Sequence, residues 1–167
     1  MIVVIYGLFI SIPICMIIGG CTYFVMRRKN NVSHMKILRN CVFSCYLCVL
    51  FSVTFLGRPR ISGISVIPFI SYIEACQSSS LIEWRNILIN IVMFIPAGIL
   101  LPCVIKHQWS LTKLILSIAL FSFIIEIAQM LTNRGIFELD DIINNTLGFI
   151  IGYALIRNIK KNILKTC

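Results

Sequence analysis

Charge is scarce in this chain, and negative charge scarcer still: 13% of residues are charged, with six acids against fifteen lysines and arginines. A soluble domain carries roughly 25% charged residues. With 59% hydrophobic residues and mean hydropathy +0.95, the chain reads instead as an integral membrane protein. It has no nucleophile elbow, Gly-rich phosphate loop, histidine pair or metal-ligand cluster, so the usual signatures of nucleophilic and metal-dependent catalysis are missing. No metal or other cofactor is called for. Internal repeats and low-complexity tracts are also missing, which speaks against a transporter built from inverted repeats. No basic residue precedes the first apolar run and three follow it, the reverse of a cleavable secretory signal.

Long apolar runs are what the chain does have. A spanning helix needs roughly 20 mainly apolar residues, and five stretches qualify: 2–26, 41–56, 87–104, 111–131 and 142–156. They are continuous rather than alternating, which predicts helices and not a barrel. The expected fold is an all-α bundle of five transmembrane helices. It divides into an anchor with a basic loop (1–40), a helical membrane domain (41–157) and a basic tail (158–167).

Lysine and arginine in short loops mark the cytoplasmic side. Arg27, Arg28, Lys29, Lys36 and Arg39 fall on one side of a five-helix chain, together with Lys106, Lys113, Arg157, Lys160, Lys161 and Lys165. Arg58, Arg60, Arg85 and Arg134 fall on the other, with Glu74, Glu83, Glu138, Asp140 and Asp141. This places the N-terminus outside and the C-terminus inside. The net charge of +9 serves retention and attraction to anionic lipid; no folded module for nucleic acid accompanies it.

Eight cysteines lie in or beside the runs, and Cys41, Cys45 and Cys48 share a helical face. Such a face admits a metal or redox site, but lone cysteines in apolar runs ordinarily pack as small hydrophobes. Cys76 alone falls in an outer loop, which does not make a disulfide framework. That loop, 57–85, is the one long connection. Its Ile67-Pro68-Phe69 patch is placed to dip into the interface, and 74–83 reads as solvated.

The informative residues are polar ones inside the last three runs. Asn86 and Asn90 share a face of the third predicted helix, where Pro96 should kink the chain and free a carbonyl. Asparagines there serve as interhelical hydrogen-bond partners or as ligand contacts. Glu126 is the only acid expected within a span, and an intramembrane ionisable residue is a functional-site hypothesis by default; its structural alternative is a pairing with Arg58, Arg60 or Arg134. At 1.5 Å per residue, Glu126 lies about 8 Å, and Asn90 and Asn145 about 5 Å, below the outer ends of their runs. They converge on one layer, with Gln129 close by and Ser122 extending the Glu126 face inward. Asp140 and Asp141 open the last helix, where at least one should cap it. Gly148 and Gly152 form a small-xxx-small pair for close helix approach.

Asn90 with Phe94-Ile95-Pro96-Ala97-Gly98, Glu126-Ile127-Ala128-Gln129, Arg134, and Asp140-Asp141-Ile142-Ile143-Asn144-Asn145-Thr146-Leu147-Gly148 with Gly152 resemble the VanZ-like membrane proteins of bacteria. Arg58 and Pro68-Phe69 are similar to that family's upstream signature. Glu138 departs from it, since aspartate is common there. The resemblance covers about 58–152. It implies a protein of the bacterial cytoplasmic membrane associated with reduced susceptibility to teicoplanin-type glycopeptides, and a shared site over these positions.

Three functional readings follow. The first is an outer-leaflet site that engages a membrane lipid, a lipid-linked cell-wall precursor or a lipoglycopeptide antibiotic through Arg58, Asn90, Glu126, Gln129, Arg134, Asp140, Asp141 and Asn145. The second is an intramembrane enzyme acting on such a lipid, with Glu126 and Asp141 as acid and base. The third is a structural assembly partner.

Overall fold

The computed structural model describes residues 2–28, 33–56, 62–78, 81–105 and 109–166. Among these, four helices are long and apolar enough to cross a membrane: His34–Phe55, Leu81–Val104, Leu111–Leu131 and Leu139–Ile159; Pro13–Arg27 is a shorter apolar helix. The chain separates into two compact units, Met1–Arg60 with Cys103–Lys106, and Ile61–Pro102 with His107–Cys167.

The first unit is an antiparallel pair, α1 (Ile2–Arg27) and α2 (His34–Phe51), the latter widening into a π-helical turn (Ser52–Leu56). α2 starts well before the expected boundary at 41. The cysteine face looks onto the backbone of α1: the Cys15 thiol donates to the Cys45 carbonyl at 3.3 Å, and Cys41 to the Gly19 carbonyl at 3.5 Å. A side chain at Gly19 would bring a Cβ to 3.3 Å from the Cys45 sulfur. These thiols therefore act as small packing groups with weak donors.

The second unit holds β1 (Ser62–Ser65), α3 (Ile70–Ser78), α4 (Leu81–Val104), α5 (Leu111–Leu131), β2 (Gly135–Glu138) and α6 (Leu139–Thr166). β1 and β2 pair in parallel, with Ser62 opposite Gly135 and Ser65 opposite Glu138. Neither strand nor α3 is expected from the sequence, so the fold is not purely helical, and the stretch read as solvated is largely helix with Ala75 fully buried. The reason is their length: four-residue strands lack a readable period, and their pairing partners lie some 70 residues apart.

α4 begins at Leu81, six residues ahead of the expected 87, and stays helical through Pro96 and Pro102. Its inner face meets α6 backbone to backbone. A Cβ at Gly148 would stand 2.0 Å from the Ile91 carbonyl oxygen, one at Gly152 2.0 Å from that of Ile95, and one at Gly98 2.1 Å from that of Phe149. The small-residue pair is thus used within the chain, with Phe94 and Phe149 fully buried beside it.

α5 is capped at its start by Ser110, whose hydroxyl accepts from Lys113 N at 3.4 Å. It ends in a Schellman turn: Asn133 takes the left-handed conformation (φ 54). Arg134 N then donates to Gln129 O at 2.8 Å and Asn133 N to Met130 O at 3.1 Å, closing the 6→1 and 5→2 rings of that motif. The turn reverses the chain, and β2 leads directly into α6.

Candidate functional site

The polar residues of α4, α5 and α6 come together as a column descending over about two helical turns, rather than as a single layer. At its top, Asn90 donates through Nδ2 to Asp141 Oδ1, joining α4 to α6. One turn into α6, Asn145 Nδ2 donates to Ser122 Oγ on α5 at 2.8 Å. Asn90, Ser122, Glu126, Gln129, Asp140, Asp141, Asn144 and Asn145 are all buried. Buried polar atoms are nearly always paired, yet Asn144 Nδ2 and Asn145 Oδ1 have no partner among the described residues.

Asn86 does not join this column. It is exposed, and its Oδ1 accepts from Arg85 Nη2 at 3.4 Å. Asn90 lies nine residues, about 13 Å, into α4, and Asn86 is one turn nearer its start.

One first-turn acid of α6, Asp140, caps something other than its own helix. Asp140 Oδ1 accepts from Phe69 N at 2.6 Å and Oδ2 from Ser71 N at 2.9 Å. These are open amides at the start of α3, so Asp140 is the N-cap of a helix 70 residues away in sequence. The expectation that at least one acid caps the last helix is replaced, for Asp140, by this cross-element bond. It also holds Phe69 at φ 64, a left-handed conformation that a bulky side chain rarely adopts. Next along α3, the Tyr72 hydroxyl donates to Asn144 Oδ1.

Glu126, on α5, accepts from Glu138 N through Oε2 at 3.2 Å. The backbone of residue 138 makes this contact, which any residue other than proline can supply; the departure at Glu138 leaves it intact. The two carboxylates considered as acid and base are therefore each engaged by a donor, Glu126 by a backbone amide and Asp141 by Asn90.

Of the residues expected from sequence, Asn90, Glu126, Gln129, Asp140, Asp141 and Asn145 are brought together. Arg134 is half-buried directly after the Schellman turn. Arg58 and Arg60 lie outside the described residues, as do Lys106 and His107. Tyr72 and Asn144 were not among the expected site residues. Asn144 stands inside the Asn144-Asn145 motif and had a signal; Tyr72 had none, because only the fold carries α3 onto α6.

A model of the VanZ/LLP1 family matches residues 43–161. The chain belongs to the VanZ family. The match extends beyond the motif positions to take in half of α2 and most of α6, and leaves α1 outside. No curated protein and no solved structure matches the chain. Its four apolar helices and its membership make this VanZ-family chain a multi-pass membrane protein.

Proposed function

We propose that the chain is a cell-envelope protein of the bacterial cytoplasmic membrane, crossing five times with its N-terminus outside. Its polar column then lies in the outer leaflet, where it engages the polar part of a lipid-linked wall precursor or of a lipid-tailed glycopeptide such as teicoplanin. Family membership supports the link to teicoplanin susceptibility. One observation carries the ligand reading. Asp140 and Glu126 are engaged by backbone amides, but Asn144 and Asn145 present an unsatisfied donor and an unsatisfied acceptor at adjacent positions of α6. Each such atom costs roughly 1–3 kcal/mol when left unmet, and a ligand bearing hydroxyl, amide or phosphate groups offsets that cost. Arg134, half-buried directly after the Schellman turn, meets its charge in this reading.

Orientation has a direct check. In a cysteine-free chain, a cysteine replacing Thr132, which is exposed where α5 ends, should react with a membrane-impermeant maleimide in intact cells, whereas Cys167 restored alone should not. The opposite labelling pattern would put the column in the inner leaflet and remove the antibiotic rationale.

Binding is tested on purified protein in nanodiscs with two probes, fluorescent teicoplanin and a polyprenyl pyrophosphate. Asn144→Ala and Arg134→Ala are expected to weaken the bound probe at least about tenfold, the equivalent of roughly 1.4 kcal/mol. Unchanged affinity for both probes in both variants rejects the ligand reading and leaves the column a structural one.

A further inference from the structure

Two internal gauges in the second unit measure how deep the connection before α4 lies. The first is β2. After the Schellman turn it runs back along α5, so that Glu138 N reaches Glu126 and the Phe137 ring stands edge-on to Phe123 at 5.8 Å between centroids. Glu126 and Phe123 lie five and eight residues before the end of α5, about 7 and 12 Å down that helix. β1 rides beside β2 in register, Ser65 opposite Glu138. The second gauge is Tyr72, whose hydroxyl bonds Asn144, five residues or about 7 Å inside α6. Both α5 and α6 are candidate spans over these residues. With the Phe69 and Ser71 amides held by Asp140 at the start of α6, β1, the Pro68–Phe69 turn and the beginning of α3 lie level with or below the ends of the α5 and α6 spans.

We infer that Ser62–Ser78 is a re-entrant segment, seated in one leaflet with its outer face against lipid acyl chains, and that it returns without crossing. The exposed residues agree with this depth. At about 100° per residue, the faces of α3 follow one another in order. Tyr72 and Ala75 face the protein, Cys76 and Ile73 come next, and Gln77, Glu74 and Ser78 complete the turn. Val66, Ile67 and Phe69, just before the helix, and Ile73 on it are all exposed. Trp84, at the start of α4, stands edge-on to Tyr72 at 6.4 Å, as aromatic side chains do at an interface.

This seat gives the buried acids a physical reason. Non-helical backbone at membrane depth is tolerated only where its polar groups are met by protein. The ladder between β1 and β2 meets one set, Glu126 accepts the Glu138 amide, and Asp140 caps α3. The inference rests on the spans alone, and neither the ligand nor the orientation enters it.

The test is site-directed spin labelling of the full chain in vesicles of phosphatidylglycerol and phosphatidylethanolamine. Single cysteines replace Ile67, Ile73, Glu74 and, as a mid-span reference, the exposed Leu120 of α5. Power saturation should show Ile67 and Ile73 favouring oxygen over a water-soluble nickel chelate several-fold more than Glu74, approaching Leu120. Nickel preference at Ile67 and Ile73 overturns the proposal by placing the segment in water. Poor access to both reagents also overturns it, because a protein surface would then cover the face. Should a labelled variant fail to insert, Phe69→Trp in a chain carrying Trp84→Phe and Trp109→Phe keeps an interfacial aromatic. Its fluorescence should be quenched by brominated lipid tails, and absence of quenching counts against the seat.

Discussion

Replacing Gly148 by alanine should destabilise the protein severely, while the same change at Gly20 should be close to neutral. A Cβ at 148 meets the Ile91 carbonyl oxygen at 2.0 Å, whereas one at Gly20 meets nothing within 4 Å. The obstacle is helical backbone, which cannot swing aside as a side-chain tip can. α4 and α6 must therefore part by more than an ångström along a seam that also includes Gly98 and Gly152. Overpacking of this kind typically costs about 1–3 kcal/mol. Asn90, next to Ile91, would be drawn away from Asp141, and a buried hydrogen bond to a charged group contributes about another 1.5–3 kcal/mol. A loss of roughly 2.5–6 kcal/mol is the expected sum, readable as the shift in unfolding midpoint when the detergent-solubilised protein is titrated with dodecyl sulfate. Equal midpoints for the two alanine variants would show that the helices are not in backbone contact. Leucine at 148 should fare worse still, with loss of inserted protein.

The second large effect is expected at Asp140 and is local. Asp140→Ala deletes the acceptor for both the Phe69 and Ser71 amides. Each bond to a carboxylate contributes about 1.5–3 kcal/mol, so opening of α3 should become easier by roughly 3–6 kcal/mol, while α4, α5 and α6 keep their packing. The strain of about 1–3 kcal/mol at the left-handed Phe69 favours opening with or without Asp140. Hydrogen exchange followed by mass spectrometry should show peptides from 62–78 exchanging orders of magnitude faster, with protection retained around Phe94 and Phe149. Asp140→Asn, which keeps one good acceptor, should fall between. Unaltered exchange in the alanine variant would mean that something other than Asp140 holds the segment. Phe69→Gly in that background should recover part of the loss by removing the strain.

What could be read ahead of the structure divides along physical lines. Glu126 stood out because an acid in an apolar run has to be met by something, and the burial of Asn90, Asp141 and Asn145 follows from the same cost. Convergence of these residues was legible from helical rise, since α5 runs antiparallel to α4 and α6 and a fixed 1.5 Å per residue makes depth calculable. The arithmetic erred where the boundaries erred: α4 begins at Leu81, because Leu81, Ile82 and Trp84 extend the helix beyond its most apolar core. Capping by Asp140 was anticipated as chemistry, but the helix it caps was wrong, since a carboxylate serves whatever open amides the fold delivers to it.

The sequence by itself determined that this is a multi-pass helical membrane protein of the VanZ family, where its main spans lie, and which polar residues they hide. Composition, run length and the expense of polar groups in lipid act through nearest neighbours, so they are written in the chain. Only the tertiary structure decided that residues 62–65 pair with 135–138, that α3 is capped from α6, that Tyr72 reaches Asn144, and that Gly148 and Gly152 are spent on α4. Those are contacts between segments distant in sequence, each too short to announce itself, and their energies exist only once the helices have set the distances.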